Sequence, residues 1–230
     1  LVLVPGPAAF GLLGLGLLIA MIFQTMEFGS VAPLVGQAIN ATAAEQVGAA
    51  NFVTSVVLGY RGFDTLLELT ILFTAATAGG LVLGKPRAGA ARDPDSGFIL
   101  RAGADLFFPL LLVVGLYIIL HGHLTPGGGF QGGVILAAAF FIPVLARPGT
   151  SMDHRLVSII EGLAGAGFIL IGLLAMLGGG DFLTPLLDKG ELGALLSAGS
   201  LPLLYIAVGL KVGSELAGLL AHLSETEASD

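Results

Sequence analysis

The sequence predicts an all-α membrane protein with about six transmembrane helices in two modules. Of its 230 residues, 55% are hydrophobic and only 11% are charged, and the mean hydropathy is +0.97. A soluble globular domain has roughly 25% charged residues. The apolar residues also form runs close to the ~20 residues that a spanning helix needs. Both observations indicate a chain suited to a lipid bilayer.

The composition also excludes several classes of function. The chain has no cysteine, which removes disulfides, thiolate-bound iron–sulfur clusters and cysteine zinc sites together. Four histidines leave little room for haem or for a histidine-rich metal site. The formal net charge of −7 argues against nucleic-acid binding, which requires basic patches. We therefore expect no cofactor, no resident metal and no nucleic-acid partner.

The first module is predicted to contain two spans. Residues 5–23 are almost free of charge and form the first span. Residues 24–50 are polar and small and indicate an extramembrane loop. Apolar side chains on one helical face of residues 47–58 predict an amphipathic helix at the interface, or an early start of the next span. The second span covers residues 63–83 and contains Glu68.

A basic, proline-containing connector follows and marks the predicted module boundary. The first module takes residues 1–90 and the second takes residues 98–223. The basic side chains of the connector are Lys85, Arg87, Arg92 and Arg101. The second module is predicted to contain four spans, and glycines dispersed through them favour close helix packing in lipid. These spans cover residues 105–120, 130–146, 156–177 and 201–220.

A glycine-rich stretch, HGHLTPGGGFQGG at residues 121–133, separates the third and fourth spans. Proline presets a turn, and the glycines that follow permit positive φ and close approach of a neighbouring backbone. We predict a tight connection between two helices or a re-entrant turn buried in protein. A plain hairpin turn without chemistry is the alternative. The structural residues of this motif are Pro126, Gly127, Gly128, Gly129, Phe130, Gly132 and Gly133.

This run, followed by an apolar helix, resembles the signature of the MnhB/MrpB subunit of multisubunit Mrp-type sodium/proton antiporters. The resemblance extends from about residue 98 to residue 223 and includes VGLKVG at 208–213. Residues 59–75 are similar to a small MbhE-type module, which in Mrp systems is found at the end of the large A subunit. Related subunits occur in energy-converting membrane-bound hydrogenases.

The resemblance implies a multi-pass subunit of a prokaryotic cytoplasmic membrane. Its partners would be large antiporter-like subunits, small membrane subunits and lipid, and it would carry Na⁺ and H⁺ without being an enzyme. The positive-inside rule, applied to six spans, predicts that both termini are cytoplasmic. The basic residues on the predicted cytoplasmic side, against only Arg61 and Lys189 opposite, are Lys85, Arg87, Arg92, Arg101, Arg147 and Arg155.

Few ionisable side chains lie inside the spans, where a charge costs several kcal/mol unless it is paired or hydrated. Lys211 is the deepest, about ten residues from either end of its helix or ~15 Å. Glu215 lies four residues further on the same face. The pair is either a static salt bridge or part of a proton or cation relay, since a buried lysine can titrate. The ion-path candidates are Lys211, Glu215, Glu68, Glu161 and His121.

The remaining candidates have open alternatives. Glu161 is expected either to contact a partner subunit or to pair with Arg155. For Glu68, the resemblance implies a functional acidic residue at the matching position. His121 either caps free carbonyls or relays protons near neutral pH. His121 and His123 are two residues apart and do not share a helical face, which disfavours a paired metal site. Two acidic residues are interpreted as solvated helix-end residues, Asp105 and Asp181.

Three functions therefore follow from the sequence. The chain contributes to the ion path and assembly of an Mrp-type Na⁺/H⁺ antiporter. Alternatively it is an accessory membrane subunit of a redox complex such as a membrane-bound hydrogenase. The third possibility is a purely structural subunit that packs larger pumping subunits together.

Overall fold

The computed structural model describes residues 7–26, 29, 33–84, 97–147 and 152–227, and these residues form helices and turns without a β-strand. The connector residues Lys85, Arg87 and Arg92 lie outside the described part. The helices are α1 (Pro7–Thr25), α2 (Leu34–Val47), α3 (Phe52–Thr54), which continues into a π-helical turn (Ser55–Tyr60), α4 (Gly62–Leu83), α5 (Gly97–Leu120), α6 (Gly129–Ala146), α7 (His154–Leu177) and α8 (Leu201–Glu227).

Five helices, α4 to α8, are long and apolar enough to cross a membrane. The prediction of an all-α membrane protein is confirmed. The first predicted span corresponds to α1, whose apolar part, Ala9–Thr25, is shorter than the other five.

Several boundaries differ from the sequence prediction, including the end of the last span, which was expected at 220 and lies at Glu227. The predicted loop at 24–50 contains α2, because its alanine-rich sequence favours a helix. The helix expected over 47–58 begins at Phe52 instead, because α2 ends at Val47 and the chain turns at Gly48, which has a φ of +78°. Helix α5 begins at Gly97 rather than at 105. Asp105 therefore lies in the third turn of α5 and is not a helix-end residue.

The chain packs as two compact units, Leu1–Ile39 and Asn40–Asp230. The first unit contains α1 and the start of α2. The second contains all five long helices, and α4 packs on α8 within it. The division into modules 1–90 and 98–223 stays a prediction.

Helix α8 is the centre of the second unit. It packs on α4, α5, α6 and α7, and 56% of its most apolar window is buried, more than in any other span. Small residues make this close packing possible. A Cβ on Gly133 of α6 would lie 2.8 Å from Cβ of Val212, and one on Gly209 of α8 would overlap Cδ1 of Ile119. In lipid, where apolar burial drives little association, such contact holds helices together.

Loop contacts define two ends of the second unit. At the motif end, which comprises residues 48–54, 121–128 and 178–200, the backbone N–H of Asn51 donates to the His123 carbonyl at 3.0 Å. Also at the motif end, Nζ of Lys189 donates to the Glu45 carbonyl at 3.3 Å. At the opposite end, His222 contacts the carbonyl that directly follows α4. Successive connections between the long helices thus lie at alternating ends, which agrees with the predicted order of spans. The orientation of the two ends in the cell stays a prediction.

Candidate functional site

Three charged side chains meet between α7 and α8. Nζ of Lys211 lies 2.6 Å from Oε1 of Glu161 and 2.9 Å from Oε2 of Glu215. Lys211 is 7% exposed and Glu215 is 4% exposed. We call these three residues the charged cluster.

Helix geometry explains how the cluster forms. Lys211 and Glu215 are one turn apart on the buried face of α8. Glu161 lies in the third turn of α7, which packs along α8. Phe73 of α4 closes a third side, because Lys211 Nζ lies 4.6 Å from its ring centroid. A cation over an aromatic face is attracted by the ring quadrupole, so this contact holds the lysine side chain in place.

The cluster is not electrically balanced. One ammonium faces two carboxylates, which leaves a formal charge of −1 when all three groups are ionised. Neither oxygen of Glu215 completes a hydrogen bond of good geometry with any described residue, although the ion-pair distance to Lys211 is short. A buried carboxylate with unfilled acceptors is costly. The cluster is thus able to accept a proton or a monovalent cation.

Within the chain, Glu161 pairs with Lys211 and not with Arg155, while the predicted contact with a partner subunit stays a prediction. Its carboxylate accepts from Lys211, whereas Arg155, at the start of α7, is exposed. The partner was missed because it comes from a helix 50 residues away. No local spacing signals which turn of α8 faces which turn of α7.

A second buried polar region lies at the motif end. It includes Tyr205, which is six residues before Lys211 on α8. Nδ2 of Asn51 donates to the carbonyls of Gly122 and Thr125 at 2.8 and 2.9 Å. Oγ1 of Thr54 donates to the Gly122 carbonyl at 2.6 Å and lies 2.6 Å from the Tyr205 hydroxyl. We call Asn51, Thr54 and Tyr205, with these two carbonyls, the backbone clamp.

The glycines of the motif contact the same face of α8. A Cβ on Gly128, whose φ is +139°, would lie 2.7 Å from Cε1 of Tyr205, and one on Gly129 would lie 2.6 Å from Cβ of Val208. Gly132 faces α5 instead, where a Cβ would overlap Cγ1 of Ile119. At the motif, α6 is therefore in close contact with both α5 and α8. Its other members are exposed or partly buried: Pro126, Gly127 and Phe130.

The two histidines of the motif have different surroundings. The His121 ring stacks on Tyr117 with a centroid separation of 4.1 Å, and its Nδ1 lies 3.1 Å from the Tyr117 carbonyl. His123 is fully buried, and neither ring nitrogen completes a hydrogen bond with the described residues. Burial lowers the pKa of His123 from its ordinary value of 6.5. The nearby backbone of Ala194 and Leu195 raises this pKa and the charge of His121 lowers it, and the net change is a decrease.

Other sequence candidates lie away from the charged cluster. Glu68 is exposed on α4. It is five residues from Phe73, so the two side chains point in directions that differ by more than a third of a turn around the helix axis. Asp105 pairs with Arg147 at the start of the α6–α7 connection, a partner that its interpretation as a solvated helix-end residue did not include. Asp181 is exposed just after α7.

Sequence reasoning missed the clamp residues Asn51, Thr54 and Tyr205. Their hydrogen bonds join positions 68 to 151 residues apart, which a single sequence does not reveal. The sequence did contain one indication, because each of these polar side chains lies beside or within an apolar run.

Comparison with known proteins gives a consistent set of similarities. A family model described as "Domain related to MnhB subunit of Na+/H+ antiporter" matches residues 99–218. An uncharacterized protein of Methanocaldococcus jannaschii is 34% identical over 196 residues, which is 74% of each chain. The protein named as antiporter subunit mnhB2 in Staphylococcus aureus is 33% identical over 92 residues, or 37% of this chain and 63% of that protein.

Two solved structures are also similar. A chain in the structure of the membrane-bound sulfane sulfur reductase, an archaeal respiratory membrane complex, is 37% identical with a TM-score of 0.83 and matches 94% of this chain and 96% of its own length. A chain in the structure of an Mrp complex from Dietzia sp. is 25% identical with a TM-score of 0.74. That match spans 99% of this chain but only 27% of the other.

Proposed function

The chain belongs to the family of domains related to the MnhB subunit of Na⁺/H⁺ antiporters, and from this premise we propose that it contributes a proton or cation relay to a multisubunit Mrp-type antiporter. Its role is transport and assembly, with no bond-making chemistry of its own. Like its structural relatives, it works beside other membrane subunits.

The observation that carries the proposal is the charge imbalance of the buried cluster. Lys211 can neutralise only one of Glu161 and Glu215, and both contacts lie within 3 Å. A net charge in a low-dielectric interior is expensive. Uptake of one proton or one monovalent cation removes it, and release restores it. A relay requires such a site, whereas a static salt bridge would be balanced.

The depth of the cluster supports the same conclusion. Lys211 is the eleventh residue of α8, about 15 Å from its start at ~1.5 Å per residue. The layer toward the motif end is filled by buried apolar side chains, Phe168, Leu204 and Val208. Intramembrane ionisable groups at such depth mark ion pathways by default.

A specific observation also favours a second candidate function. The respiratory complex is more similar to this chain in sequence and fold than the Mrp complex is. The same cluster would then couple ion movement to a redox reaction carried out by a partner, since this chain has no cysteine to ligate an iron–sulfur cluster. Purification of the intact complex followed by iron and acid-labile sulfide analysis separates the two. Metal-free, active complex supports the antiporter.

Lys211→Ala tests the relay. We expect the complex to assemble and cation-coupled proton transport, normalised to assembled complex, to fall at least tenfold. The matched control is Lys189→Ala, because Lys189 is an exposed lysine at the motif end. Transport of the control should stay within twofold of the unsubstituted complex.

A neutral triple variant distinguishes the relay from packing. Lys211→Met with Glu161→Gln and Glu215→Gln keeps the approximate side-chain volumes and removes every charge of the cluster. If the cluster only packs, the triple variant should recover both assembly and transport, because no buried charge is stranded. Full transport in this variant would falsify the relay. Recovery of assembly without transport supports it.

A further inference from the structure

A polar cavity extends from the charged cluster toward the opposite end of the unit. Its volume is about 230 Å³, and it lies between α4, α7 and α8. Glu161 and Glu215 lie at the inner end. His154 and His222 lie at the outer end, on the first turn of α7 and near the end of α8. We call this cavity the vestibule.

The polar lining residues of α7 and α8 occur at helical spacing, so each helix presents them on one face. On α7, His154, Ser158 and Glu161 are spaced by four and three residues, so they form one stripe. On α8, Glu215 and His222 are seven residues apart and also share a face. At ~1.5 Å per residue each stripe spans about 10 Å from the outer histidine to the carboxylate.

Helix α4 supplies the third wall, with Phe73, Ala76, Thr77 and Gly80. This wall carries a hydroxyl but no titratable group among its described lining residues. The titratable and charged groups that face the vestibule or its inner end therefore come from α7 and α8. They are His154, Glu161, Lys211, Glu215 and His222.

The buried carboxylate of Glu215 indicates what fills the vestibule. Oε1 has no hydrogen-bond partner among the described residues, and Oε2 has only the ion pair with Lys211 at 2.9 Å. The carboxylate lies where the cavity ends. Buried acceptors of this kind are satisfied by water when the space is polar and large enough. One water needs about 10–15 Å³ on the same type of measure, so the vestibule has room for several.

One ring nitrogen of His222 has a defined role. Nε2 lies 2.7 Å from the carbonyl of Gly84. A carbonyl only accepts, so Nε2 carries the hydrogen. In a neutral imidazole the other ring nitrogen, here Nδ1, is the proton acceptor.

We propose that the vestibule is a water-filled access route for protons to the charged cluster, with His154 and His222 as relay residues at its mouth. This inference rests on the proposed function of the cluster. A proton bound at the Nδ1 atom of His222 passes to vestibule water and ends on an oxygen of Glu215. The histidine returns to neutral and the carboxylate loses its charge. The predicted orientation makes this the cytoplasmic access route.

Cysteine accessibility tests the vestibule without using transport. The natural chain has no cysteine, so Ser158→Cys introduces one thiol in the vestibule. In membrane vesicles containing the assembled complex, a charged, impermeant methanethiosulfonate should modify it from one side only. The matched control is Leu163→Cys on the same helix, at a side chain that is 69% exposed on the outside of the unit. The complex with the unsubstituted chain gives the background from its partners.

We expect the Ser158→Cys variant to react at least tenfold faster than the control, because charged reagents need a hydrated path. Equal rates, or no reaction from either side, would overturn the vestibule. Lys211→Ala could still abolish transport in that case, so this failure is distinct from failure of the relay. Full transport in the neutral triple variant would overturn the relay whatever the labelling result.

A side chain that fills the cavity tests whether transport depends on the vestibule. A Cβ on Gly80 would have no atom within 4 Å, so Gly80→Leu can extend into the vestibule without a clash. We expect at least fivefold lower transport per assembled complex and slower labelling of the Ser158→Cys variant. Gly162→Leu is the control, because its Cβ is also unobstructed but lies outside the vestibule.

The histidines are tested by the pH profile of transport. The variants His154→Gln and His222→Gln, singly and together, should shift the pH at half-maximal transport by at least half a unit while assembly is retained. A purely structural histidine would change yield but not this profile. Unchanged pH profiles together with unchanged transport in the Gly80→Leu variant would overturn the proposal, even if Ser158→Cys is labelled.

Discussion

The charged cluster and the backbone clamp lie on the same helix, six residues or ~9 Å apart, yet their polar groups are paired in different ways. In the clamp, Asn51 and Thr54 donate to fixed backbone carbonyls. In the cluster, flexible side chains pair with one another beside a cavity. Backbone partners cannot move without unfolding, whereas side-chain ion pairs can exchange partners, protons and water. From this difference we expect the clamp to support assembly and the cluster to support the transport proposed for it.

The largest expected effect is at Gly129, the first residue of α6, which packs against α8 beside the clamp residue Tyr205. Gly129→Leu places a Cβ 2.6 Å from Cβ of Val208 and 2.9 Å from the Tyr205 carbonyl. Because backbone atoms cannot yield as side chains do, we expect a cost above ~3 kcal/mol and at least tenfold less subunit in the membrane. Quantitative immunoblotting of membranes measures this, with Gly162→Leu as the control. Normal yield with lost transport would place the motif in the ion path instead.

A smaller effect is expected from Tyr205→Phe, which removes the hydroxyl that lies 2.6 Å from Oγ1 of Thr54. Loss of one buried hydrogen bond should cost about 1 kcal/mol and lower the thermal stability of the detergent-solubilised complex. Transport per assembled complex and its pH profile should be unchanged. A shifted pH profile would contradict the division of roles, because it would connect the clamp hydroxyls to the proton path.

The last expected effect concerns His123 and depends on pH. The pKa of His123 is lowered by burial, so between that pKa and 6.5 an opened state binds more protons than the closed one. Opening therefore becomes easier as pH falls, by at most ~1.4 kcal/mol per pH unit, and above about pH 7 this contribution is constant.

Limited proteolysis of residues 178–200, which cover His123, measures this opening. We expect faster cleavage at pH 5.5 than at pH 7.5. The dependence should weaken in the His123→Asn variant and persist in His121→Gln, since the latter leaves the buried ring in place. Cleavage that is independent of pH in the unsubstituted chain would show that protonation of His123 does not open the segment.

The spans were predictable because the bilayer imposes a simple requirement on sequence. Length and apolarity placed residues 63–83, 130–146 and 156–177 within two residues of α4, α6 and α7. The start of α5 was missed because Arg101 and Asp105 interrupt its apolar run. Asp105 is accommodated by Arg147, from the far end of α6.

Part of the candidate site was also predictable. The spacing of Lys211 and Glu215 by four residues places them on one helical face, and the intramembrane position of Glu161 marked it as unusual. What could not be predicted was that Glu161 meets Lys211, while Glu68 stays exposed on α4. Both are single carboxylates in apolar helices, and their sequences do not distinguish them.

By itself, the sequence determined that this chain crosses a membrane, where most of its helices lie, and which glycine motif connects two of them, because hydropathy and backbone freedom are local properties. The tertiary structure alone decided which charges become neighbours. That pairing depends on the rotation and vertical offset of α7 against α8 and of α4 against both. These are set by close packing of small residues distributed over the whole bundle, and no single segment encodes them.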